Sequence, residues 1–226
     1  MGHRVRAALP HDVERLCEIR TSRALQPEDA ANGSAPRGGF LLGASEATYE
    51  AYVAAGCVNV LVGGDPGHVV AFSVVLPDEA VRSSSIYARR HQSDLAPEVI
   101  AWLESQRVAY FDQLVAEAGL EGVSARLAYL HLIEAFERHD AVLATTVIAP
   151  VENRAALPFL IATGFEAIGS IDESYPVIGE LRSKIHVLTK HRFSEVRASS
   201  RAERFERWLR RSESRLSPDL FPAVMS

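Results

Sequence analysis

Lysine is nearly missing from this 226-residue chain: Lys184 and Lys190 are the only two, and arginine carries the remaining positive charge. We read that as genomic bias. Cysteine is equally scarce. Cys17 and Cys57 form no C-x-x-C pair and are too few for a disulfide framework, so a stapled secreted scaffold is excluded and a reducing cytoplasm is the expected compartment. A basic excess is also absent. The net charge of −5 argues against nucleic acid as the main partner. No apolar run approaches the roughly 18 residues of a membrane helix, the first residues show no apolar core of a signal peptide, and Arg6 breaks a myristoylation pattern. No membrane association is therefore expected. Walker loops, G-x-S-x-G elbows, zinc-type spacings and internal repeats do not occur.

What is present is an ordinary globular composition, 47% hydrophobic and 23% charged, long enough for one large domain with an extension. Periodicity and turn residues predict a strand over 5–8, helices over 12–23 and 45–55, and strands over 57–62 and 69–76. Gly63, Gly64, Asp65, Pro66 and Gly67 mark a hairpin between those two strands. Residues 26–39 read as a loop and 77–106 as a polar stretch with helical turns, including 96–106. Strands follow at 108–115, 141–148, 166–171 and 184–189, with helices at 124–138 and 153–163. The helix between the fourth and fifth strands makes those two strands parallel. Residues 191–226 form a separate extension with eight Arg against five acidic residues. Its Phe205, Trp208 and Leu209 share one helical face, which suits docking on the body or on a second copy, so a homodimer is one expectation.

The most informative stretch is Glu152-Asn153-Arg154-Ala155-Ala156-Leu157-Pro158-Phe159-Leu160-Ile161-Ala162-Thr163-Gly164-Phe165. Asn153 is a good N-cap and Gly164 a good left-handed helix end. The spelling resembles the Asn-x-x-Ala-x-x-Phe-Tyr-x-x-x-Gly-Phe signature of the GNAT (GCN5-related) N-acetyltransferases, with Leu160 where Tyr is usual and Pro158 inside the helix. Over about residues 4–190 the resemblance implies an α/β GNAT fold. Its central sheet is mixed and mostly antiparallel, splayed between strands 4 and 5 and flanked by helices.

The resemblance also assigns roles. Acetyl-CoA would be the cosubstrate and a primary amine of a small molecule or peptide the acceptor. The segment Gly119-Leu120-Glu121-Gly122-Val123-Ser124-Ala125 resembles the family's pyrophosphate loop, with Gly122 as its required glycine and Leu127 as its apolar anchor. Backbone N–H groups at such a strand–helix junction, backed by the helix dipole, suit a pyrophosphate. Gly119 and Leu120 depart from the usual Arg or Gln and Gly, and Glu121 places a negative side chain near the phosphates. Leu114, Val115 and Ala116 would pair with the pantetheine arm beside a β-bulge. Asn153 would either contact that arm or cap its helix, and Phe159 would line the crevice.

Asp112 is the candidate general base and Glu117 the second. Leu160 cannot donate a proton. The departing thiolate is left to Tyr110, to Tyr129 or to water, and a non-catalytic CoA-binding or partner-binding protein is the alternative reading. Arg89, Arg90, His91 and Trp102 fall where the family often forms its acceptor wall, and an Arg pair there would suit an acidic acceptor, but a solvated helix face is the favoured reading. His131, Glu134 and His139 lack further ligands and read as polar packing rather than a metal site.

Overall fold

A computed structural model describes residues 3–24, 44–63, 67–175 and 179–199. The expected loop at 26–39 and the stripe of Phe205, Trp208 and Leu209 lie outside the described residues. Seven strands form one sheet: β1 (Arg4–Ala7), β2 (Val58–Gly63), β3 (His68–Leu76), β4 (Val108–Ala116), β5 (Ala141–Ala149), β6 (Glu166–Tyr175) and β7 (Gly179–Thr189). Their order is β1-β2-β3-β4-β5-β7-β6. Every pairing is antiparallel except β4 with β5, the pair that a helix connects.

The helices are α1 (Val13–Arg23), α2 (Glu46–Ala54), α3 (Asp78–Arg82), α4 (Ser85–Ala88), α5 (Pro97–Ser105), α6 (Glu121–Arg138), α7 (Leu157–Thr163) and α8 (Lys190–Arg197). They cover both faces of the sheet. On the first face, α1 and α2 bury Val13, Leu16, Tyr49 and Val53 against Val60, Phe72, Val74 and Tyr110. The insert α3–α5 continues that layer, burying Leu95 and Leu103 against Val108, Ile171 and Ile185. On the second face, Ala128, Tyr129, Leu132 and Phe136 of α6 pack on Ala109, Phe111, Val142 and Ala144. Because both faces are covered, β2 and β3 are buried almost throughout, and their β-branched, apolar sequences follow from that.

Local chemistry sets the helix ends. Ser45 caps α2 by accepting the Thr48 N–H at 3.2 Å, and Thr189 caps α8 by accepting the Arg192 N–H at 3.1 Å. Gly164 ends α7 at φ +91°, where a side chain would be strained, and a Cβ there would lie 2.8 Å from Val196 Cγ2 of α8. Helix α8 continues directly from β7, and its Phe193 is buried between Tyr129 and Phe136, 5.5 and 4.9 Å between ring centroids.

Four elements differ from the sequence reading. The helix expected over 153–163 starts at Leu157, with Ala156 as its N-cap and Pro158 in its first turn. There a missing N–H costs nothing, so the proline shortens the helix instead of kinking it. Helix α6 begins at Glu121, three residues before the expected start. Strands β6 and β7 extend to Tyr175 and back to Gly179, doubling as a long hairpin.

Candidate active site

The site is made by an irregularity in β4. Val74 of β3 lies opposite Gln113 and Val75 lies opposite Phe111, so Asp112 is an extra residue with no partner on β3. Such a bulge reverses the inside–outside alternation of everything after it. Before it, Tyr110 belongs to the α1–α2 face and Phe111 to the α6 face. After it, Val115 takes the first face, while Leu114 and Ala116 take the second. On its other side β4 pairs with β5 only from Val108–Ala141 to Phe111–Ala144. From Thr145 onward β5 pairs with β7 alone. The two parallel strands therefore part at Asp112, and the backbone of 112–116 faces an open wedge.

Several predicted residues gather around this wedge. The ring of Phe159 lies 5.9 Å from that of Phe111, the last paired residue of β4. Asn153 is half-buried at the far end of β5, where its N–H donates to Val147 O at 2.8 Å. It is four residues before α7, so its capping role is ruled out. Leu160 is buried among Phe165, Phe111 and Leu188, turned into the core.

At the open end of β4 the chain turns into α6. Gly119 sits at φ +82°, which favours glycine. The N–H groups of Val123 and Ser124 both donate to Leu120 O, at 3.0 and 2.9 Å. Glu121 and Gly122 open the helix, where the N–H groups have no acceptor within it. Leu127 is fully buried against Leu61, Val70 and Ala71, with Leu120 and Val123 beside it. Ser124 is buried, and Ala125 is half-buried on the second turn. Residues expected to hold a pyrophosphate thus form a helix N-terminus next to the wedge. Glu117 is not free for catalysis, because its carboxylate is ion-paired with Arg15 of α1.

Asp112 itself is half-buried. Gln113 Nε2 donates to its Oδ2 at 2.9 Å, and Gln113 Oε1 accepts from the Tyr49 hydroxyl at 2.6 Å. Burial raises the Asp112 pKa above the usual carboxylate range, and the Gln113 bond offsets only part of that. Four tyrosines feel its charge: Tyr49, Tyr52, Tyr110 and Tyr175. Burial first, and Asp112 second, push Tyr52 to about 12. Tyr110 is raised further still, and its hydroxyl shares a 2.7 Å hydrogen bond with Thr145 Oγ1 across the strand junction. These phenols stay protonated at any working pH. Tyr129, the other candidate proton donor, is buried against Phe193 in the core under α6.

A second carboxylate was not anticipated. Glu173 of β6 is 6% exposed and pairs with Arg89 at 3.1 Å, and its charge also reaches Tyr110 and Tyr175. The signal was available: extending the strand past Ile171 with period two puts Glu173 and Tyr175 on the same face as Ile171. Arg90 lies 4.2 Å over the Tyr87 ring and 2.7 Å from Glu104, so Arg89 and Arg90 are both engaged in ion pairs. Trp102 packs beside Leu95 and Val108. Of the three polar residues near α6, His131 bonds Ser73 Oγ at 2.8 Å and Glu134 accepts from Asn59 at 2.7 Å. His139 accepts the Asp78 N–H at 3.3 Å. All three join α6 to the body, and no metal-type cluster occurs among the described residues.

A mixed sheet whose single parallel pair opens at a bulge, with a helix N-terminus at the opening, is the arrangement the sequence resemblance led us to expect. Comparison with solved structures decides it. The chain has the GNAT fold. It matches the NatC complex bound to Gag peptide and CoA at a TM-score of 0.54 and 13% identity, over 84% of this chain and 100% of that one. It matches a Drosophila melanogaster polyamine N-acetyltransferase at 0.54 and 15%, over 83% and 99%. A mosquito arylalkylamine N-acetyltransferase-like protein matches at 0.53 and 14%, over 82% and 100%. At these identities the likeness carries the fold. No family profile and no curated protein matches the sequence.

Proposed function

We propose that this GNAT-fold protein is an acetyl-CoA-dependent N-acetyltransferase that acts on a primary amine by direct attack on the thioester. One observation carries the reading: the parallel pair parts at a bulge whose extra residue is an acid with a raised pKa. An open β4 edge can pair with the peptide-like pantetheine arm, in the manner of strand addition. The first turn of α6 offers N–H groups and a positive dipole end to the pyrophosphate. These backbone donors do not depend on the side-chain departures at Gly119, Leu120 and Glu121. Asn153 and Phe159 border the same wedge.

Acyl transfer to an amine needs the neutral nucleophile held in line with the carbonyl, which supplies much of the acceleration. Asp112 stands where the wedge opens onto the α1–α2 face and takes the proton from the incoming ammonium. A base is most effective when its pKa lies near the working pH, and burial moves Asp112 in that direction. Tyr110 and Thr145, hydrogen-bonded to each other where the strands part, are the candidate neutral donors.

A second reading, a CoA-binding protein without transferase activity, is favoured by Leu160, since α7 presents no phenol. Calorimetric titration with acetyl-CoA and with CoA tests the shared part. Micromolar binding is expected, and its absence up to millimolar concentration would overturn both readings. Thiol release on adding amines then separates enzyme from binder.

A further inference from the structure

Beneath the insert lies a cavity of about 70 Å³, several times the roughly 10–15 Å³ that one water requires. Ile100 and Leu103 of α5 roof it, and Leu143 of β5 with Ile171 and Ile185 of the hairpin floor it. Its lining is almost wholly apolar. Arg90 borders it, but the Arg90 guanidinium is committed to Glu104 and to the Tyr87 ring. The two hydroxyls at one end are Tyr110 and Thr145, already bonded to each other. Tyr110, like Tyr175, feels both Asp112 and Glu173. The cavity runs from the Tyr110–Thr145 pair back under α5; Asp112 and Glu173 do not line it but follow the lining residues Tyr110 and Ile171 by two positions along β4 and β6.

Resting on the acetyltransferase reading, we propose that the acceptor is a small primary amine with an apolar alkyl or aryl substituent. The substituent fills the cavity and the amino group lies at its Tyr110–Thr145 end, toward Asp112. Charge complementarity favours the amine here over the acyl chain of the thioester. An acyl group has no use for a carboxylate near its mouth, whereas an ammonium is attracted by Asp112; Glu173 is already paired with Arg89. A polyamine would bury a second charge among Leu103, Leu143 and Ile185, which is strongly unfavourable without a partner. In the transfer, Asp112 takes one proton from the ammonium, the neutral amine nitrogen bonds the acetyl carbonyl carbon, and the carbon–sulfur bond breaks. The second proton, which the nitrogen sheds on becoming an amide, passes to the thiolate, which leaves as free thiol.

Binding is read by calorimetry on the CoA-saturated full chain, with methyl-, butyl- and hexylamine, spermidine and hexanoyl-CoA as probes. Affinity should rise about fourfold per buried methylene along the alkyl series until the cavity is full, with spermidine weaker than hexylamine. A flat series, or spermidine binding tighter, overturns the proposal. Tighter binding of hexanoyl-CoA than acetyl-CoA, with hexylamine competing against it, assigns the cavity to the acyl chain and overturns it too. Leu143→Phe should collapse the hexyl-to-methyl ratio without changing the affinity for CoA; Ile100→Phe, from the roof, makes the same test if the first variant does not fold. Hexylamine binding without thiol release keeps the amine site and refutes the transfer chemistry instead.

Discussion

Replacing Asp112 by Asn separates what this carboxylate does for catalysis from what it does to the fold. The side chain has one hydrogen-bond donor, Gln113 Nε2, and burial is the largest influence on its ionisation. Asn is nearly isosteric and its amide oxygen can accept the same bond, so the bulge is preserved. Loss of a general base costs about 10²–10⁴-fold in turnover, whereas acetyl-CoA affinity should hold, because the cofactor would be bound by backbone groups elsewhere. The acid limb of kcat/KM against pH should lie above the usual carboxylate range in the wild type and vanish in the variant. Stability should move the other way. An acid whose native pKa is raised above its unfolded value keeps its proton longer when folded, so its stabilising contribution is complete at low pH. That contribution is lost as pH rises through the native pKa. At neutral pH the variant, which carries no charge to bury, should melt higher than the wild type, and the gap should close on acidification. A gain of 1 kcal/mol would read as about 2–4 °C in a chain of this size. Equal turnover at every pH removes Asp112 as the base, and a lower melting temperature means the carboxylate serves the fold.

Gly122→Val should abolish detectable CoA binding by filling the expected phosphate nest at the start of α6; surviving affinity in a titration would show that the pyrophosphate is held elsewhere. Burial lowers the His131 pKa from 6.5 to about 4 and favours the neutral ring that shares a hydrogen bond with Ser73. The unfolded chain therefore binds this proton first. Up to about 3 kcal/mol of stability, present above pH 6.5, should be lost as pH falls toward 4, and His131→Gln should flatten that slope in denaturant titrations at a series of pH values. Phe193→Ala should cost about 3–5 kcal/mol, since the ring is buried between Tyr129 and Phe136. A loss below about 1 kcal/mol would show that α8 contributes little to the core.

The sheet was legible because each strand is a β-branched run bounded by turn residues, and the parallel pair because a confident helix separates its members. The bulge was not legible as geometry: Tyr110-Phe111-Asp112-Gln113-Leu114-Val115 reads as an unbroken strand, and only pairing with β3 shows that Asp112 is the residue left over. Asn153 misled for a physical reason. It is a strong N-cap type, but Pro158 sits comfortably only in the first turn, and the proline fixed where the helix begins. Glu173 escaped because the strand was ended at Ile171, where polar residues start to alternate with apolar ones; alternation is how a strand with one covered face continues. Glu117 looked available because its partner Arg15 is 102 residues away in sequence, a separation no local pattern reveals.

Leu160 is the strongest sequence argument against catalysis, and its surroundings change its weight. It packs in the core with Phe111, Phe165 and Leu188, so a phenol at that position would overfill the site at roughly 1–3 kcal/mol. On the other side of the strand junction Tyr110 and Thr145 share a hydrogen bond, and Tyr110 feels the charges of Asp112 and Glu173. A carboxyl whose pKa is raised by burial can take the proton from the amine and return it to the departing thiolate, which a carboxylate of ordinary acidity does poorly. On the acetyltransferase reading the missing tyrosine and the raised Asp112 pKa are then two halves of one arrangement. That coupling makes the pH profile of Asp112→Asn more informative than any substitution on α7.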